Sequence, residues 1–291
     1  MPVPQPAPSQ LLIRVAASSV NPIDWKLYSG RYRWLIPVHF PAIPGFDVAG
    51  EVTQVGAQVT RFKVGNHIFA MLDTHSGGAS ADYAVVGECA VARLPAKMPA
   101  REAVALPLAG LTALQALRDL GQVAMGKRVL IVGASGGVGH FAVQIAKSYG
   151  TQVTAVCGGP HVDMVRGLGA DHVITYTKQP EFSSTQPYDI VLDLVVQRPV
   201  REFFPLMASD GNYVSSLPSG SLIAAAFLLP FYSKRRVSIV RVKPSGEDLY
   251  QLRTLCEAGK LPARHRPCLP AWKSSQLPTP TVSGVGQQAK S

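Results

Sequence analysis

The chain has 291 residues, 47% hydrophobic and 16% charged, with a formal net charge of +10. That composition excludes a disordered chain and is long enough for two domains. Half of the charge excess (Lys260, Arg264, Arg266, Lys273 and Lys290) lies in residues 258–291, which carry no acid. No basic run is interleaved with aromatics, so nucleic acid is not an expected partner.

Residues 1–10, MPVPQPAPSQ, read as an extended leader without the apolar stretch of a signal peptide. Leu11–Ala17 reads as a strand, Ser18–Asp24 as a turn broken at Asn21-Pro22, and Trp25–Gly30 as a short helix. Pro41–Gly50 is rich in glycine and proline and reads as a loop. Glu51–Val64 alternates like antiparallel strands, and Asn66–Met71, Ala81–Val86 and Cys89–Arg93 continue the pattern. Residues 1–105 are therefore expected to form a mostly antiparallel β domain.

The texture changes near Arg101. Glu102–Leu106 and Leu111–Leu120 read as helices. Strands and helices then alternate: Val129–Val132, a helix, Gln152–Cys157, a helix, Asp171–Tyr176 and Asp189–Val195. Helix Arg201–Met207 and strands Asn212–Ser216 and Val237–Val242 follow. That alternation predicts an α/β unit with a doubly wound parallel sheet over residues 106–243. Leu222–Tyr232 is the most apolar stretch, eleven residues with one proline, too short to span a bilayer. It reads as a core or subunit-interface segment, with a peripheral membrane patch beside Lys234-Arg235-Arg236 as the alternative. Gly246–Gly259 reads as an amphipathic helix, placed at 244–262 and returning to the first domain. Residues 263–291 read as a disordered tail.

The chemistry concentrates at Gly133-Ala134-Ser135-Gly136-Gly137-Val138-Gly139. An apolar strand precedes it and a helix follows. In that context the small residues let a pyrophosphate approach the backbone, and the helix N-terminus faces the anion. The spacing alone fits two patterns: Ala134-x-Gly136-x-x-Gly139, and the Gly133-x-x-x-Gly137-x-Gly139 of short-chain dehydrogenases. Four scattered cysteines without CxxC spacing argue against a disulfide framework or a zinc knuckle and fit a reducing compartment.

Several segments together resemble one family. SVNPIDWKLYSG (19–30), PGFDVAGEVTQVG (44–56), VGNHIFA (64–70), LPLAGLTALQAL (106–117), ASGGVGHFAVQIAK (134–147), LGADHVITY (168–176) and YDIVLD (188–193) occur in the order of the zinc-independent medium-chain dehydrogenase/reductase superfamily. The resemblance is to its quinone-oxidoreductase-like branch, above all the chloroplast-envelope homologues, over residues 3–262. It implies a GroES-like first domain, a Rossmann second domain, and hydride transfer from NADPH to a quinone or an α,β-unsaturated carbonyl. It also favours the medium-chain pattern, since no tyrosine here has a lysine four positions on, as the short-chain class requires. Asn21 and Phe46 stand where zinc-using relatives carry cysteine and histidine, so no metal site is expected.

The resemblance also places candidate residues. Asn21 would face nicotinamide or substrate, Lys26 would reach either, and Tyr28 would donate a proton. Asp47 would frame the pocket, and the Thr112 hydroxyl would neighbour the nicotinamide. Ala134, Ser135, Gly136, Gly137, Val138 and Gly139 form the cradle. After the second Rossmann strand, at Cys157, no acid occurs until Asp163. An acid there would hold the ribose 2′-OH of NADH, so NADPH is expected, with His161 and Tyr176 as contacts to its 2′-phosphate.

Relatives carry a further hairpin before the segment aligned to Pro2, and a strand, a helix and a closing strand after Leu261. RHRPCLPAWKSSQLPTPTVSGVGQQAKS stands in place of the latter, which is read as an altered reading frame or alternative exon. A non-catalytic or truncated NADPH-binding isoform is therefore the alternative to an active enzyme, with open strand edges in the substrate domain. A homodimer and a cytoplasmic location are expected, with a plastid or a membrane surface as the alternative location.

Overall fold

The computed structural model describes residues 2–28, 42–73, 77–177, 182 and 186–261. The expected tail from 263 lies outside these residues. Two sheets organise the chain.

The first sheet is antiparallel, in the order β4-β1-β2-β3-β5 among the described residues. Its strands are β1 (Gln10–Ser18), β2 (Asp47–Val55), β3 (His67–Met71), β4 (Tyr83–Gly87) and β5 (Val91–Arg93). Leu11, Ile13, Val48, Val52 and Ile68 fill its inner face. Between β1 and β2 stands α1 (Pro22–Tyr28). Proline, read from sequence as a breaker, instead begins this helix, where its missing N–H costs nothing and its fixed φ suits the first turn. Two other boundaries move. Asp47–Gly50 belongs to β2, and residues 56–64 form turns rather than a second strand. The alternation in QVTRFKV is real, but only Phe62 is buried there.

Next come α2 (Ala100–Ala103) and α3 (Pro107–Gln115), the latter running into a wide π turn over Ala116–Leu120. The second sheet is parallel throughout, in the order β11-β10-β9-β6-β7-β8. Its strands are β6 (Arg128–Val132), β7 (Gln152–Cys157), β8 (His172–Thr175), β9 (Tyr188–Asp193), β10 (Met207–Ser215) and β11 (Arg236–Ile239). Helices α4 (Gly137–Ser148), α5 (Val162–Gly167), α6 (Gly220–Leu228) and α7 (Gly246–Glu257) complete the described chain. The expected helix Arg201–Met207 is instead two 3-10 turns, Val200–Glu202 and Phe204–Leu206, because Pro205 removes a helical donor.

Residues buried on both faces explain the parallel sheet. Val129, Ile131, Val153 and Ala155 pack with α3 and α4, while Leu130, Val156, Val191 and Tyr213 pack on the opposite side. The chain runs from β6 outward to β7 and β8, then returns past β6 to β9, so the strand order reverses between β6 and β9. In open α/β sheets that reversal opens a crevice at the carboxyl ends of the strands. α7 crosses to the first domain and packs against β5 and α3.

Candidate functional site

Two constellations lie along α3 and α4. The first is built on a buried carboxylate. Asp47, at the start of β2, is fully buried. One of its oxygens accepts from the Ser19 hydroxyl at 2.5 Å and from Asn21 Nδ2 at 2.7 Å. The other accepts from the Leu108 backbone N–H at 2.8 Å, in the first turn of α3, where no side chain of the helix's own N-cap serves. Asn21 Nδ2 also donates to Ser19 Oγ at 3.0 Å, and its backbone N–H donates to Asp24 at 2.6 Å. Burial raises the Asp47 pKa to about 7, against the opposing pull of Ser19, Asn21 and Leu108. Burial also raises that of Asp24, against backbone donors at Asn21 and Gly45. One carboxylate thus ties the end of β1, the entry to α1 and the start of α3 together.

Thr112 lies one turn along the same helix, buried, its hydroxyl donating to Leu108 O at 2.6 Å. Asn21, Asp47 and Thr112, widely separated in sequence, are brought together on the Asp47–α3 junction. Lys26 sits on α1 with Nζ 5.7 Å from the ring centroid of Trp25. Tyr28 ends α1, and its side chain lies outside the described residues.

The second constellation is the glycine turn at the carboxyl end of β6. Gly133 has φ +85°, and a Cβ there would lie 2.7 Å from Val195 Cγ2. Gly139 sits against the turn itself: a Cβ would fall 2.2 Å from Gly133 O and 2.7 Å from Ala134 Cα. Gly137 differs, since nothing lies within 4 Å of the place its Cβ would take. Gly136 caps α4 without a side-chain bond, so the first N–H groups of α4, from Gly137 onward, rise uncapped beneath that open space. An uncapped helix start below a cradle without side chains is a fitting seat for a pyrophosphate. Ala134 plays a different part from the cradle residues. It is fully buried and its N–H is bound to Val156 O at 3.0 Å, so it packs the turn rather than offering a donor. Ser135 and Val138 are half-buried on the same turn.

The far wall is the end of β7 and β8. Cys157 closes β7 as a buried thiol whose pKa burial pushes up, which leaves it an unreactive packing residue. Gly158 follows, and a Cβ there would lie 3.0 Å from Tyr176 Oη, so the exposed Tyr176 ring leans over the strand end. His161 stands on the next turn, Gly159–His161. Among the described residues the next acid, Asp163, points to solvent.

The residue reading missed one part of the crevice. Asp193, at the end of β9, accepts from Tyr213 Oη at 2.7 Å and from the N–H groups of Val195 and Val196 at 3.0 and 2.9 Å. This holds the loop that covers Gly133, with Val196 at φ +56°. Asp193 ends the quoted YDIVLD motif, but its Tyr213 partner comes from β10 and only the fold reveals it. Ser19 and Leu108 were missed for the same reason. Among the described residues no three His, Cys, Asp or Glu side chains cluster to hold a metal ion. At the two places where zinc-using relatives supply ligands stand Asn21, whose amide is engaged with Asp47, and the buried Phe46.

Comparisons with known proteins agree with this fold. The profile of the alcohol dehydrogenase GroES-like domain matches residues 7–96, and that of the zinc-binding dehydrogenases matches residues 137–242. A chloroplastic quinone-oxidoreductase homolog of Spinacia oleracea is 45% identical over 226 residues, 74% of this chain and 68% of that protein. The chloroplast envelope quinone oxidoreductase homolog of Arabidopsis thaliana is 38% identical over 272 residues, 90% of this chain and 82% of that protein. Among solved structures, the quinone oxidoreductase from Coxiella burnetii is similar with a TM-score of 0.79 at 29% identity. It covers 90% of this chain and 83% of its own. These relatives correct one expectation: the Spinacia and Arabidopsis proteins, matched over 74% and 90% of the chain, are chloroplastic, which favours a plastid over the cytoplasm.

Proposed function

This chain belongs to the zinc-independent, quinone-oxidoreductase-like branch of the medium-chain dehydrogenase/reductase superfamily, and from that premise we propose that it binds NADPH in the crevice and reduces a small quinone or enone in a plastid. The nicotinamide supplies the hydride, delivered to the quinone or to the β-carbon of the activated double bond. The observation that carries the reading is the uncapped start of α4 beneath the open face of Gly137. Backbone N–H groups of α4 hold the pyrophosphate, while His161 and Tyr176 flank the end of β7, where no acid opposes a 2′-phosphate. Asn21, fixed by Asp47 and Ser19, orients nicotinamide or substrate by hydrogen bonding, and Thr112 lines the same wall. Hydride addition would leave negative charge on the substrate oxygen, as an enolate or a hydroquinone anion, which a hydrogen-bond donor stabilises until a proton from water completes the reduction. Lys26 and Tyr28 are assigned to the substrate side, and residues 1–105 and 106–243 to the two domains that enclose it. A homodimer is part of the same proposal.

A second reading is nicotinamide binding without turnover. One observation favours it over full activity: RHRPCLPAWKSSQLPTPTVSGVGQQAKS stands where the resemblance implies a strand, a helix and a closing strand. Titration with NADPH and NADH, followed by oxidation of bound NADPH with a panel of small quinones and enones, separates the two. Substrate-dependent oxidation supports the first, binding without oxidation selects the second, and failure to bind either dinucleotide overturns both.

A further inference from the structure

The proton from water that completes the reduction needs a route to the substrate oxygen, and the Asp47 junction contains one. Asp47 is sealed from solvent at 0% exposure, so a proton enters or leaves its carboxyl only through a hydrogen-bonded neighbour. Among the described residues it has three. The Leu108 backbone N–H and the Asn21 amide donate, but neither accepts a proton and passes it on. The Ser19 hydroxyl, 2.5 Å from the oxygen that Asn21 also holds, does both, since a hydroxyl carries one donor and two acceptor sites.

Two protonation states fit this arrangement. With Asp47 ionised, the Ser19 O–H donates to the carboxylate. With Asp47 protonated, that bond reverses: the carboxyl donates to Ser19 Oγ, and the Ser19 hydrogen turns to another acceptor. Asn21 Nδ2 donates to Asp47 at 2.7 Å and to Ser19 Oγ at 3.0 Å in both states, so the two oxygens keep their places while the proton moves. Ser19 is only half-buried, which leaves its freed hydrogen open to the crevice side. The surroundings favour the protonated state. α1 brings Asp24, a charge of the same sign, β3 sets the uncharged Met71 opposite, β1 leads into Ser19, and α3 presents Leu108 N–H. Burial outweighs the donors, Asp24 adds to it, and the carboxyl titrates at about 7.

We propose that Ser19 hands the substrate oxygen its proton and that Asp47 is the store behind it. This rests on the quinone or enone reading above. As hydride adds, the oxygen gaining negative charge takes the Ser19 hydroxyl hydrogen, and Ser19 Oγ takes the Asp47 proton in the same movement. At each transfer one O–H bond breaks and one forms. Ser19 ends as a neutral hydroxyl and Asp47 as a carboxylate, which regains a proton from water by the same path after product leaves. One hydride and one proton are added in all, giving the hydroquinone, or the enol that becomes the saturated ketone in water.

Turnover of a small quinone and a small enone from about pH 5 to about pH 9 tests this on the parent, Ser19→Ala and Ser19→Thr. The parent kcat is expected to fall above about pH 7, where Asp47 loses its proton. Ser19→Ala lowers kcat at neutral pH by about a hundredfold or more, with KM little changed, and removes that step. Ser19→Thr keeps a hydroxyl and restores most of the rate. A second readout needs neither cofactor nor substrate: carbon-13 NMR of the aspartate-labelled chain shows a carboxyl titrating at about 7, lost in Asp47→Asn and displaced in Ser19→Ala. The thermal midpoint monitors folding. Three results overturn the proposal: a kcat and pH step in Ser19→Ala like the parent's, a Ser19→Thr as impaired as Ser19→Ala, or no aspartate carboxyl titrating near neutrality. A parent without turnover overturns the reduction and this route with it, whereas an active parent with an indifferent Ser19→Ala overturns the route alone.

Discussion

The Asp47→Asn substitution removes a charge from the best-enclosed titrating group of the candidate site. Folding holds the Asp47 pKa at about 7 against an ordinary 3.8, chiefly by burial. Between those values the folded chain retains a proton that the unfolded chain has released. Stability is therefore full below about pH 4 and falls as pH rises towards 7, levelling above it. A displacement of that size corresponds to about 4 kcal/mol, an order-of-magnitude figure. Carboxylates held low, Asp171 beside Lys147 and Asp248 beside Arg118, act in the opposite sense and below their ordinary value, outside this window. Asparagine keeps an acceptor for Leu108 N–H but turns an amide donor toward the Asn21 amide, so it costs about 1–3 kcal/mol at acid pH. Urea unfolding from pH 4.5 to 8 on parent and variant reads both effects (range chosen to bracket the folded value of about 7). The parent loses stability with rising pH, and the variant keeps only the smaller part of that loss that belongs to Asp24, whose pKa burial also raises. A variant that keeps the parent's slope would refute the assignment of that slope to Asp47.

Further substitutions separate packing from binding. Gly139→Ala drives a Cβ into Gly133 O and destabilises the chain by roughly 3 kcal/mol or more, read by urea unfolding. Tyr213→Phe strips Asp193 of a buried donor at 2.7 Å and costs about 1–3 kcal/mol by the same assay, while loosening the Val195–Val196 loop over the cradle. His161→Ala lowers affinity for NADPH by about tenfold and leaves that for NADH nearly unchanged, in paired fluorescence titrations. Equal loss for both dinucleotides would remove His161 from the 2′-phosphate.

The parts of this protein that could be read from sequence are those whose physics is local. Val129–Val132, the glycine turn and the helix after it announce themselves because strand, turn and cap preferences act within a dozen residues. The Asp47 junction was not legible beyond its motif. Its donors stand 28, 26 and 61 residues away, and only the pairing of β1 with β2 and the landing of α3 bring them together. The Asp193–Tyr213 bond was hidden for the same reason, since it crosses from β9 to β10. Leu222–Tyr232, read as core or subunit interface, buries only Leu222 and Leu229 within this chain. Hydropathy reports what a segment would bury but not whether this chain supplies the cover, and here the outward aromatics have none among the described residues. Pro22 shows how one residue type carries two meanings, breaker inside a helix and starter at its first turn.

The central claim is that the start of α4 seats a dinucleotide pyrophosphate, and Gly137 gives the cleanest measure of it. Nothing lies within 4 Å of its missing Cβ, so Gly137→Ala leaves packing intact and raises helix propensity by up to about 1 kcal/mol. The added methyl intrudes only on a ligand above the turn. Titration of parent and Gly137→Ala with NADPH should show saturable binding by the parent and affinity at least about tenfold weaker in a variant of equal or greater stability. Equal affinity in the two proteins would contradict a pyrophosphate at this turn.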